Sequence, residues 1–236
     1  MKFNLPKIKI PWNRNFAIAF LLLMFLCLQA HEFAHYIVGM FLYPGPKYLT
    51  FAYVWGVDAY TEVRLAETAA GPLLTYALTW IGMFLLLKYR KYALFGCSLI
   101  FANVAFDRIV FGAFIGDEHD IGEFIGHPFA VFFFIILLVL PPLLIAYKSI
   151  KNKRKLLVFF SFLILPVLAK GFIIMPDTYF LFNPIMGNES TFPIPLVFGI
   201  PIIVIIVDVI VLVLFFGKYV QYLLPENNNI MENKKP

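Results

Sequence analysis

The residues best suited to do chemistry in this chain are concentrated in one pentapeptide, HEFAH, running from His31 to His35. Two histidines four apart share one face of a helix, where both imidazoles can reach a single zinc ion. Glu32 stands between them, placed to take the proton of a water whose pKa the metal lowers to about 7. The resulting hydroxide can attack a carbonyl, which is metalloprotease chemistry. The pentapeptide lies inside an apolar segment from Phe16 to Leu42. An ionisable residue in a membrane span costs about 2.5 to 3.5 kcal/mol on insertion scales, so three in one helix need a compensating partner. A metal in a protein-lined cavity supplies one.

The rest of the chain must position these groups within a membrane. Hydrophobic residues make up 61% of the sequence and charged residues 14%, against about 25% charged in soluble domains. Apolar segments at 16–42, 68–87, 92–115, 128–147, 156–175 and 195–216 each approach the roughly 20 residues that span a bilayer. The expected fold is therefore an all-α polytopic membrane protein with six transmembrane helices. Its parts are a basic interfacial tail (1–15), a core of three helices with its connections (16–127), three further helices (128–216) and a disordered tail (217–236).

Charge sets the expected orientation. Lys2, Lys7, Lys9 and Arg14 precede the first span, Lys88, Arg90 and Lys91 follow the second, and Lys148, Lys151, Lys153, Arg154 and Lys155 follow the fourth. The alternate connections are acidic, most strongly Asp117, Glu118, Asp120 and Glu123. By the positive-inside rule both termini are cytoplasmic, and the net charge of +5 is a topology signal with no nucleic-acid footprint. No small-x-small cleavage site precedes His31, so the first apolar run is expected to stay as an anchored helix. Cys27 and Cys97 fall within spans and read as small apolar core residues. Asn188-Glu189-Ser190 matches a glycosylation acceptor.

Between the first two spans, residues 47–65 are rich in Tyr, Val and Thr, with an interruption at Gly56-Val57-Asp58. This reads as a short β-hairpin near the outer surface, which must be covered, lie at the interface or pair with something, since lipid cannot satisfy a strand edge. Ala69-Ala70-Gly71-Pro72 then reads as a helix start that also permits close packing. In this order, HEFAH in a first span, a β-like segment and AAGP at the next span resemble the site-2 protease family of intramembrane zinc metalloproteases. The resemblance covers about residues 16 to 127. Where the family often has Asn shortly after the Gly-Pro, this chain has Thr75 and Tyr76.

A catalytic zinc takes three protein ligands and a water. In the family the third ligand is an aspartate opening a later helix, and the nearest match here is Asp117 of GDEHDIG, with Ile121 four residues on. Asp120 and Asp107 are the other candidates. On a straight helix counted from Tyr92, Asp107 stands about 22 Å up, level with His31 at about 20 Å, whereas Asp117 comes out at about 37 Å. Asp117 reaches the metal only if the chain after Ile115 turns back, which is tolerated where it lines a wet cavity. Asp107 neighbours Arg108, and such intramembrane charges usually pair on other helices, with Lys170 and Asp208 as possible members of one network. His119 and His127 read as solvated loop histidines, and Pro141-Pro142 as a kink.

The resemblance implies a zinc-dependent endopeptidase in the lipid bilayer, with His31, His35 and Asp117 on Zn2+, Glu32 as general base and a transmembrane protein as substrate. Two rivals use the same residues: an ion- or proton-coupled transporter with His31, Glu32, Asp107, Arg108 and Asp208 along its path, and a non-catalytic metal-binding relative.

Overall fold

The computed structural model describes residues 5–42, 47–56, 61–103, 105–110, 112, 114–182, 185 and 195–224. Its helices are α1 (Arg14–Leu42), α2 (Thr61–Lys88), α3 (Ala93–Ala102), α4 (Ala105–Val110), α5 (Asp117–Phe124), α6 (Pro128–Ser149), α7 (Lys155–Asp177) and α8 (Ile202–Leu214). A 3-10 turn (Arg90–Tyr92) leads into α3, and π and 3-10 turns carry α8 on to Leu223. Among the described residues, six stretches are long and apolar enough to cross a membrane, as expected for a multi-pass protein. α1 packs against α2 and α3, α6 and α7 close the other side of α3 and α4, and α5 wedges between α2 and α6. An aromatic cluster of Phe16, Phe20, Phe101 and Phe162, all fully buried, joins α1, α3 and α7.

Two departures from the sequence expectations matter for the site. The third span is not one helix: α3 ends at Asn103, whose side chain turns back to donate to Leu99 O at 2.7 Å, and the chain resumes in the short α4 and α5. α2 starts at Thr61, so Pro72 lies inside the helix rather than in its first turn. The missing proline N–H removes the bond to the carbonyl of Thr68, a residue that lines the cavity below. α6 likewise runs on through Pro141 and Pro142. Pro142 leaves the Leu138 carbonyl without its helical donor, and the Trp80 indole supplies one at 3.0 Å.

Two three-residue strands, β1 (Lys47–Leu49) and β2 (Val54–Gly56), pair antiparallel between α1 and α2 with Tyr48 opposite Trp55. Their turn lies at Thr50–Tyr53 and not at the Gly56-Val57-Asp58 interruption, of which Val57 and Asp58 lie outside the described residues. The expected second run also fails at Thr61–Leu65, which is helical. Distant groups hold the turn. Asp177 accepts from Thr50 Oγ1 (2.6 Å), Phe51 N (3.1 Å) and Ala52 N (3.0 Å), while Gln29 donates to Phe51 O at 2.7 Å. A second hairpin, β3 (Leu196–Val197) and β4 (Ile200–Pro201), turns through Phe198 and Gly199, both at positive φ. That turn covers the outer edge of β1, with Leu49 N donating to Gly199 O at 3.2 Å and the Tyr36 hydroxyl donating to Phe198 O. A Cβ at position 199 would stand 1.8 Å from Lys47 O, so only glycine fits.

Asp177→Ala should loosen the first hairpin, because two backbone N–H groups and a hydroxyl lose their shared acceptor at once. The expected cost is about 2 to 3 kcal/mol, measured as faster amide exchange at Phe51 and Ala52. Unchanged exchange would show that the turn stands without Asp177.

Both ends pack onto the bundle. Residues 7–10 of the N-terminal tail pair with 148–152, and Ile8 and Ile10 are buried. Residues 217–224, expected to belong to a disordered tail, are ordered: Val220–Leu223 is a packed 3-10 turn with Leu223 fully buried. Residues 225–236 and the Asn188 acceptor lie outside the described residues.

Candidate metal centre

On α1, His31 and His35 are both buried and one helical turn apart, and their Nε2 atoms converge at 3.1 Å. Asp117 Oδ2 lies 3.0 Å from His31 Nε2 and 3.4 Å from His35 Nε2. It gets there because the chain reverses at Gly116, which caps α5 with a φ of 90°, so Asp117 is the first helical residue and not the cap. These three ligand atoms lie within 4.8 Å of one another, and no other such group of three occurs among the described residues.

The donor set fits a tetrahedral metal. Ligands about 2.05 Å from a zinc at tetrahedral angles are about 3.3 Å apart, and the three observed separations fall close to that. The far ring nitrogens are also engaged as a metal site requires. His35 Nδ1 stands 2.7 Å from the Glu67 carbonyl, which can only accept, so Nδ1 carries a proton, and in the neutral ring Nε2 is then the nitrogen with a lone pair for a metal. His31 Nδ1 meets Thr75 Oγ1 at 2.9 Å. Gly71 makes the space: a Cβ there would stand 2.2 Å from His35 Nε2 and 2.7 Å from His31 Nε2. The AAGP segment thus admits two imidazoles against α2, whatever its failure as a helix start.

Glu32 is half-buried and lines a cavity of about 710 Å³ together with His31, His35 and Asp117. The hairpin contributes Lys47, Ala52, Tyr53 and Val54 to the same wall. Gly112, Ile115 and Gly116, which precede α5, line it too.

The other charges sort themselves by partner. Asp107 accepts from Lys170 Nζ at 2.7 Å, the structural pairing expected of it, and Asp120 is exposed and outside the ligand group. Asp208 does not join this network, and its Oδ1 is buried with no hydrogen-bond partner among the described residues. Arg108 turns the other way: Nη1 bonds Glu118 at 2.8 and 3.0 Å, and Nη2 lies 3.1 Å from both nitrogens of the His31 ring. Tyr76 OH donates to Glu118 Oε1 at 2.8 Å, closing a buried Tyr76–Glu118–Arg108 network beside the ligands. His127 is exposed, and His119 is half-buried, its Nδ1 without a hydrogen-bond partner among the described residues.

Sequence reasoning missed Glu67, Thr75, Arg108 and Glu118 as supports of the site. Only Thr75 had a local signal, lying one turn after Gly71 on the same face of α2. No family model, curated protein or solved structure matches this chain.

Proposed function

We propose that this protein is a zinc-dependent intramembrane endopeptidase of the site-2 protease type, cutting a peptide bond in or near a transmembrane segment of a partner protein. The convergence of His31 Nε2, His35 Nε2 and Asp117 Oδ2 beside Glu32 in a membrane-embedded cavity carries the reading. Zinc, when held by these three residues, supplies a Lewis acid that acidifies a water and polarises the scissile carbonyl. Glu32 takes the proton of the attacking water and returns it to the leaving amine. Glu67 and Thr75 fix the two imidazoles, and Gly71 keeps the helix face clear of them. A helical substrate hides its carbonyls in i to i−4 bonds and must unwind to react. Since the Phe198–Gly199 turn covers β1, β2 is the edge that would hold the unwound stretch by strand addition, beside the Tyr53 and Val54 that line the cavity.

Protein purified without chelator should carry about one zinc per chain, and His31→Ala or His35→Ala should lose it. Finding no zinc in the unmodified protein would end the enzyme reading and favour a charge path through the membrane.

A further inference from the structure

A second cavity, of about 1520 Å³, opens at the basic end of the bundle, far in sequence from the ligands of the metal centre. Two remote segments build its rim. Ile8 bridges Ile150 in parallel, with Ile8 N donating to Ser149 O and Lys151 N donating to Ile8 O, each at 2.8 Å. Asn152 adds a two-way clamp on Ile10, accepting from its N–H at 2.8 Å and donating to its carbonyl at 3.0 Å. Strand alternation then buries Ile8 and Ile10 and turns Lys7 and Lys9 outward, beside Lys151, Lys153 and Arg154.

Backbone pairing therefore holds five like charges together around one opening. Among the described residues none of the five has a carboxylate partner. The sequence offers no Asp or Glu before Glu32 or between residues 124 and 176. The free N–H groups at the start of α7 add to the positive potential at the same place. An anion is what this rim lacks.

The floor is apolar. Leu157, Phe160, Ile164 and Leu168, each roughly half exposed, form a stripe along α7, with Ser161 the one polar residue within it. From Leu157 to Leu168 the stripe runs about 16 Å into the hydrocarbon depth. Trp12 flanks the top, where an indole favours the membrane interface. Cations at the mouth and a long apolar floor match a molecule with an anionic head and a hydrocarbon tail. A soluble phosphate would leave the stripe unused, and a zwitterionic lipid would not offset five cations.

We propose that this cavity binds one anionic phospholipid, its phosphate held by Lys7, Lys9, Lys151, Lys153 and Arg154 and one acyl chain lying along α7. The site fastens the N-terminal segment to the α6–α7 connection through a bridging head group. The test is native mass spectrometry of the full chain released from detergent containing equal phosphatidylglycerol and phosphatidylcholine. One phosphatidylglycerol should remain bound selectively. A K151Q/K153Q/R154Q variant should lose about fivefold in affinity per cation removed. Because those charges also direct topology, Ser161→Trp provides a second variant that keeps every charge, fills the floor and should release the lipid. Equal retention of both lipids, or retention of phosphatidylglycerol by both variants, overturns the proposal. So does displacement by an equal concentration of glycerol 3-phosphate, which would mark a soluble phosphate site. If phosphatidylglycerol binds only after removal of residues 225–236, which carry Glu226 and Glu232, the occupant is the chain's own tail and the proposal fails.

Discussion

Glu32→Gln should abolish cleavage and leave the metal in place. Gln keeps the length and volume of Glu, so packing on α1 and the positions of His31 and His35 are preserved, but an amide oxygen is a far weaker base than a carboxylate. General-base catalysis contributes about 10² to 10⁴-fold, and the same group must also return a proton to the leaving amine, so the loss should lie near the upper end. The measurement pairs two readouts on one preparation: zinc per chain, and cleavage of a transmembrane substrate reconstituted in the same vesicles. Retained zinc with lost cleavage assigns Glu32 as the base. Retained cleavage removes it from that role. Lost zinc would show that the carboxylate is a ligand, against the geometry in which Asp117 completes the set.

The reach of sequence reasoning followed the range of the contacts involved. HEFAH was legible because both histidines and the glutamate sit on one helix, where spacing alone puts two imidazoles on one face. The spans were legible for the same reason, as hydropathy is local. Asp117 was not legible from depth, because a straight continuation of the third span overshoots the metal; the break at Asn103 and the reversal at Gly116 bring it back. The hairpin existed where expected but turned elsewhere. Its Thr50–Tyr53 turn has no Gly or Pro and is fixed by Asp177 and Gln29, which no local pattern announces. The N-terminal segment carried a period of two in Lys7, Ile8, Lys9 and Ile10, a strand signal hidden among prolines, while its partner lies some 140 residues on.

Asp117→Ala should strip the metal from folded protein, and Asp107→Ala should not. Asp117 Oδ2 is the only carboxylate oxygen among the described residues that meets both Nε2 atoms, at 3.0 and 3.4 Å, so its loss leaves two ligands where a catalytic zinc needs three. Changes to outer-shell partners typically cost about 10 to 100-fold in metal affinity, and removal of a direct ligand should exceed that range. Asp107 has the depth that a straight helix would favour, yet its carboxylate is occupied by Lys170 at 2.7 Å. Asp107→Ala strands that ammonium, whose side chain keeps 27% of its exposure, so the cost should fall at the low end for a buried pair, about 3 kcal/mol or less. The expected result is lower thermal stability with full zinc content. If Asp107→Ala loses zinc in well-folded protein while Asp117→Ala keeps it, the ligand assignment is overturned, and the Lys170 pair must open for Asp107 to turn toward α1.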